Sequence, residues 1–128
     1  MKRRRRASVV AAAAVLAVSG LPTPSGAVGK EDFQVKDAQD LVDVCTTPKT
    51  DPLYGAAMGF CHGYAVGAWQ YYAAAGRKFL CVPDPAPSRV QAINGFIDWA
   101  GEHPQYMHEG AAQTLFKYLA DAWVCTKE

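Results

Sequence analysis

The stretch GAAMGFCHGYAVG, Gly55–Gly67, places a glycine at every fourth position, with Cys61, His62 and Tyr64 between them. Each glycine costs a helix interior about 1 kcal/mol relative to alanine. Residues four apart nevertheless share one side of an α-helix, and the chain carries no charged residue from Leu53 to Gly76. The segment therefore reads as a long helix from Pro52 to about Ala75, with Asp51 as its cap and Gly76 as its stop. One broad face gathers Leu53, Tyr54, Ala57, Phe60, Cys61, Tyr64, Ala65, Ala68, Tyr71 and Tyr72. The four glycines, Gly55, Gly59, Gly63 and Gly67, share another face with Ala56, His62, Val66 and Gln70. A helix that is apolar nearly all round is expected to be buried on more than one side. A line of missing side chains lets a second backbone approach. The expected neighbour is internal at Gly63 and Gly67, while a second copy of the chain is the alternative near Gly55 and Gly59. Small residues also line helix contacts in membranes, but four tyrosines, a histidine and a glutamine make this a poor bilayer segment.

The flanking sequence supplies shorter helices. Residues 28–36 are polar and read as a flexible N-terminal segment. Asp37–Cys45 forms a short helix with Ala38, Leu41, Val42 and Cys45 on one side. Ser88 caps a third helix running to about Glu102, with Val90, Ile93, Phe96, Ile97 and Ala100 spaced as its buried stripe. His103-Pro104 ends it. A last helix starts near Glu109 or Gly110 and ends near Trp123, with Ala112, Leu115, Phe116, Leu119, Ala122 and Trp123 as its stripe. No strand pattern competes. The expected fold is all-α, a small four-helix bundle with one short and three longer helices.

The first 27 residues stand apart. A basic head, Lys2–Arg6, precedes an uncharged small-residue run, Ala7–Ser19, and then Ser25-Gly26-Ala27. That order is a secretory signal peptide over residues 1–27. The apolar run falls short of the ~20 residues that span a bilayer, so no membrane association is expected after its removal. Ala7-Ser8 follows the arginines where a twin-arginine signal wants large apolar residues, which favours the general secretory route. The head holds five of the 13 basic residues, leaving eight against 12 acidic ones and a net charge of −4 for residues 28–128. No nucleic-acid partner is expected, because phosphate contacts need a basic face.

Four cysteines remain, Cys45, Cys61, Cys81 and Cys125. An even count in a small exported chain reads as two disulfides. Zinc ligands usually come in close pairs and no C-x-x-C occurs here; Cys61-His62 supplies only the end of a haem-attachment motif. No metal and no cofactor are expected. If short links make the last two helices an antiparallel pair, Cys81 lies near Cys125. Cys45 stands at the start of the long helix, whose ~36 Å length separates it from the last cysteine. The favoured pairs are Cys45–Cys61 and Cys81–Cys125, with Cys61–Cys81 and Cys45–Cys125 as the competing set. Each closed loop adds roughly 3–4 kcal/mol.

No constellation asks for catalysis. Cys61 and His62 point about 100° apart on a helix, and a bridged Cys61 is no nucleophile; His62 reads as a buried, hydrogen-bonded side chain. His103 and His108 lack a third metal ligand. The group Trp99, Tyr106, Met107 and His108 contains residue types that anchor interfaces. The expected partner-binding patch is Glu102, His103, Gln105, Tyr106, His108 and Glu109.

An ordered set of short motifs runs through the chain. Asp40-Leu41-Val42-Asp43-Val44-Cys45 closes the short helix. Cys61-His62-Gly63-Tyr64-Ala65-Val66-Gly67 fits a C-x-G-Y-x-x-G core. Phe79-Leu80-Cys81-Val82-Pro83 fits an F-C-x-P-like element with one additional residue before the cysteine. His103-Pro104-Gln105 fits an H-P-E-like turn with glutamine in place of the acid. Ala122-Trp123-Val124-Cys125 ends the domain, with valine where proline is frequent. In this order the chain resembles the Rap/Tai family of type VI secretion immunity proteins. The resemblance implies a helical immunity domain over residues 37–128, exported to the periplasm and often dimeric. It also implies an inhibitor rather than an enzyme, whose partner is a secreted toxin. In the best-known members that toxin is a peptidoglycan amidase whose active-site cleft the immunity protein occludes. The alternative is a small periplasmic stress, chaperone-like or structural binding protein with no toxin partner.

Overall fold

The computed structural model describes residues 28–126; the signal-peptide reading of residues 1–27 lies outside them. The described residues form four α-helices, α1 (Ala38–Cys45), α2 (Tyr54–Ala74), α3 (Arg89–Glu102) and α4 (Ala111–Ala122), with 3-10 turns at Asp32–Gln34 and Pro104–Tyr106. No strand occurs among them.

The helix starts follow side-chain chemistry. Asp37 accepts from the Asp40 amide at 3.1 Å and opens α1. Ser88 and Gln91 exchange hydrogen bonds in a capping box at the start of α3, which satisfies two amides that the helix itself leaves unpaired. Asp51 is not the helix cap but lies two residues before it: it accepts from the amide of Leu53, the capping position, at 2.8 Å and shapes the turn into α2. Gly76, at φ +65°, ends α2 in the left-handed conformation that glycine adopts without strain.

The cysteines pair as Cys45–Cys61 and Cys81–Cys125, with Cα–Cα distances of 5.2 and 4.9 Å. The first bridge ties the last residue of α1 to the middle of α2. The second closes a loop with a sequence separation of 44, beside a hydrogen bond from the Cys81 amide to the Trp123 carbonyl at 3.0 Å. By chain entropy they stabilise the fold by about 3 and about 4 kcal/mol.

The main core gathers Leu41 of α1, Tyr72 of α2, Phe96 of α3, and Leu115, Tyr118 and Leu119 of α4. Leu80, in the connection between α2 and α3, joins them, and its amide donates to the Tyr72 hydroxyl at 3.0 Å. Residues 28–35, expected to be loose, are packed: Val28 is buried, and the Phe33 ring meets Phe60 edge-on at 5.6 Å.

Several expectations are corrected. α2 is not enclosed: only Ala57, Cys61 and Tyr72 are buried along its 21 residues, His62 is half-exposed, and Tyr71, expected on the buried face, points to solvent. A Cβ built on Gly55, Gly59, Gly63 or Gly67 meets nothing within 4 Å, so among the described residues no other segment lies against them. The buried positions of α4 are Ala111, Thr114, Leu115, Tyr118 and Leu119. That stripe is rotated from the expected one because the Thr114 and Tyr118 hydroxyls made inward positions look polar. Val90 is 54% exposed rather than part of the α3 stripe.

The glycine that a close approach does require is Gly95 of α3. A Cβ there falls on the hydroxyl oxygen of Tyr118, whose ring is buried and tilted against Phe96 at 6.0 Å. Gly63→Ala is therefore expected to raise stability by about 0.5–1 kcal/mol in denaturant titration, as helix propensity dictates; a loss would reveal a hidden neighbour. Gly95→Ala should lose about 1–3 kcal/mol by overpacking, and adding Tyr118→Phe should recover part of it. Equal losses with and without the hydroxyl would refute this account.

Candidate functional site: an aromatic corner

The turn between α3 and α4 concentrates chemistry near one end of the bundle. His103 and Pro104 break α3, and the 3-10 turn Pro104–Tyr106 redirects the chain towards α4. The rings of Trp99, His103 and Tyr106 lie nearly parallel. Trp99 stacks on His103 at 4.1 Å and 17°, and Trp99 and Tyr106 are 5.6 Å apart at 7°. The His103 Nδ1 lies 2.7 Å from the Trp99 carbonyl; a carbonyl only accepts, so Nδ1 donates. This bond ties the ring to the last turn of α3.

α4 supports the group from below. Lys117 Nζ sits 4.1 Å over the Tyr106 ring and also pairs with the Glu109 carboxylate. Cation and ring attract through the ring's quadrupole. The Trp99 indole N–H donates to Asp121 at 3.0 Å, and the Thr114 hydroxyl reaches the Tyr106 carbonyl at 3.4 Å. Burial, helped by Asp98, holds the Tyr118 hydroxyl above the ordinary tyrosine pKa, so it stays protonated beneath Trp99.

α1 clamps the backbone of the corner. Its first amides, Ala38 and Gln39, donate to the carbonyls of Glu109 and Met107 at 2.9 and 3.0 Å. These donors have no partner inside their own helix, so the turn completes α1 as much as α1 steadies the turn. Met107 is buried against Ala38 and Ala100. His108 reaches Asp37 at 3.4 Å with its side chain otherwise exposed.

The six residues expected to face a partner therefore fall at one corner. Glu102, Gln105 and His108 are exposed; His103, Tyr106 and Glu109 are half-exposed and held by the stack and by Lys117. Met107 belongs to the core. Lys117, Thr114 and Asp121, which hold the corner in place, escape a reading of the local motif; the three- and four-residue spacing that puts them on one side of α4 is the signal that could have found them.

Residues 37–125 match the family of Rap1a immunity proteins. The chain belongs to this family. No curated protein and no solved structure matches it significantly. The family segment begins at Asp37, the cap of α1, and ends at Cys125 of the second bridge, so it contains both disulfides and the whole corner. All four cysteine sulfurs of the Rap1a domain are bonded, which leaves Cys61 without the thiol a nucleophile needs. Among the described residues no three His, Cys, Asp or Glu side chains gather as a metal site, and no helix is long and apolar enough to cross a membrane.

Proposed function

We propose that this protein is a periplasmic immunity protein that binds a peptidoglycan amidase delivered by a type VI secretion system and blocks its cleft sterically. The family match over residues 37–125 carries the reading. The corner supports it in physical terms. Its aromatic rings are already stacked and its main chain is tied to α1 and α4. A preordered surface loses little entropy on association, which favours tight binding. The leader-like sequence of residues 1–27 supports export. Inhibition of this kind needs no catalytic group.

A second copy fits the uncharged outer face of α2, where Gly55 and Gly59 leave room for a neighbouring helix to approach closely. We propose that copies pair there.

Secretion of the protein into the periplasm should rescue cells that express the cognate amidase, and the purified proteins should form a complex by titration calorimetry. Tyr106→Ala should weaken that complex by about 2 kcal/mol or more, as expected of an aromatic anchor, with the Gln105→Ala effect smaller. Absence of rescue and of binding to any co-encoded hydrolase would overturn the toxin reading. Sedimentation should show a dimer that Gly59→Glu dissociates while the melting temperature of the monomer holds; a monomer at all concentrations would remove the pairing.

A further inference from the structure

A cavity of about 390 Å³ opens between α2, α3, α4 and the connection that follows Cys81. Its floor is formed by buried side chains from three helices: Leu41 of α1, Phe96 of α3, and Leu115 and Leu119 of α4. Trp69 and Trp123, edge-to-face at 5.7 Å, stand along one side. At its rim Val66 and Val82 are 39% and 42% exposed.

The polar groups in this lining are few. Arg89 is the single charged side chain, and Tyr64 and Gln70 supply a hydroxyl and an amide. Among the described residues Arg89 has no ion-pair partner. It is also the first residue of α3, whose N-terminal end carries partial positive charge. An apolar interior with one cation at its edge selects a ligand of the same asymmetry.

We propose that the cavity is a binding site for a single-chain anionic amphiphile, a medium-chain fatty acid, with its chain against Phe96 and Leu115 and its carboxylate at Arg89. The size agrees. Small-molecule sites run from about 300 to 1,000 Å³, and an apolar cavity of roughly 150 Å³ already admits benzene. A methylene takes about the volume of a water molecule, roughly 30 Å³, so a chain on the order of ten carbons fills the space. The two lining tryptophans report its arrival. The site is separate from the corner described above and does not depend on the identity of any toxin.

The test titrates the purified, oxidised protein with sodium decanoate below its micelle concentration and follows tryptophan fluorescence. A saturable one-to-one change with a Kd in the ~10–100 µM range is expected. Decyltrimethylammonium, with the same chain and the opposite charge, should bind at least about fivefold more weakly, and Arg89→Ala should erase that preference. Ala65→Phe and Ala92→Phe, which fill the cavity from α2 and from α3, should each abolish binding with circular dichroism and the melting temperature retained; two variants guard against one failing to fold. No saturation at millimolar decanoate overturns the proposal. So does binding that survives both filled variants, which marks adsorption to the surface. Loss of complex formation with a protein partner in the filled variants, with no amphiphile bound by the parent, also overturns it and makes the cavity a protein anchor pocket.

Discussion

The bond between Cys45 and Cys61 is the constraint on which the rest of the molecule rests. α2 is the longest helix, yet it buries only Ala57, Cys61 and Tyr72, and four glycines lower its intrinsic stability. The rest of its apolar packing comes from side chains only partly buried, among them Met58, Phe60, Tyr64 and Trp69, and even a fully buried large apolar side chain contributes only about 1.5–3 kcal/mol. A covalent link at the middle of the helix adds a stabilisation of similar size without asking for more apolar area. The same link reaches the end of α1, and the start of α1 holds the carbonyls of Met107 and Glu109. The bridge, α1 and the aromatic corner thus form one mechanical sequence.

Much of the fold was legible because its signals are local. Asp37 and Ser88 announce helix starts through hydrogen bonds that span three residues, and Gly76 announces a stop. The cysteine pairing is favoured by two local readings together, the antiparallel packing of the last two helices and the length of α2. The glycine series misleads for a physical reason: periodicity shows that residues share a face, not what the face meets. Gly95 carried no such pattern, yet it is the glycine pressed against a neighbour, and that neighbour lies 23 positions along the chain at Tyr118. The stripe on α4 was displaced because a threonine and a tyrosine can be buried when their hydroxyls have somewhere to go.

The same division holds for the corner. Glu102, His103, Gln105, Tyr106, His108 and Glu109 all fall within the short stretch 102–109, so any compact turn keeps them together. Their support is distant in sequence: α1 amides, the Thr114 hydroxyl, Lys117 and Asp121. The corner and the cavity also differ in kind. One presents stacked rings edged with charge, suited to another protein's surface. The other is a recess in the bundle with a lone cation at its edge.

The main-chain clamp on the corner has an evolutionary consequence. Ala38, Gln39 and Thr114 grip carbonyl oxygens of Tyr106, Met107 and Glu109, and a carbonyl is the same whichever side chain is attached to its residue. Outward side chains at 102, 105 and 108 are consequently free to mutate without unseating the loop. A protein locked in rivalry with a changing adversary gains from such an arrangement: its lettering can be rewritten while the page stays bound.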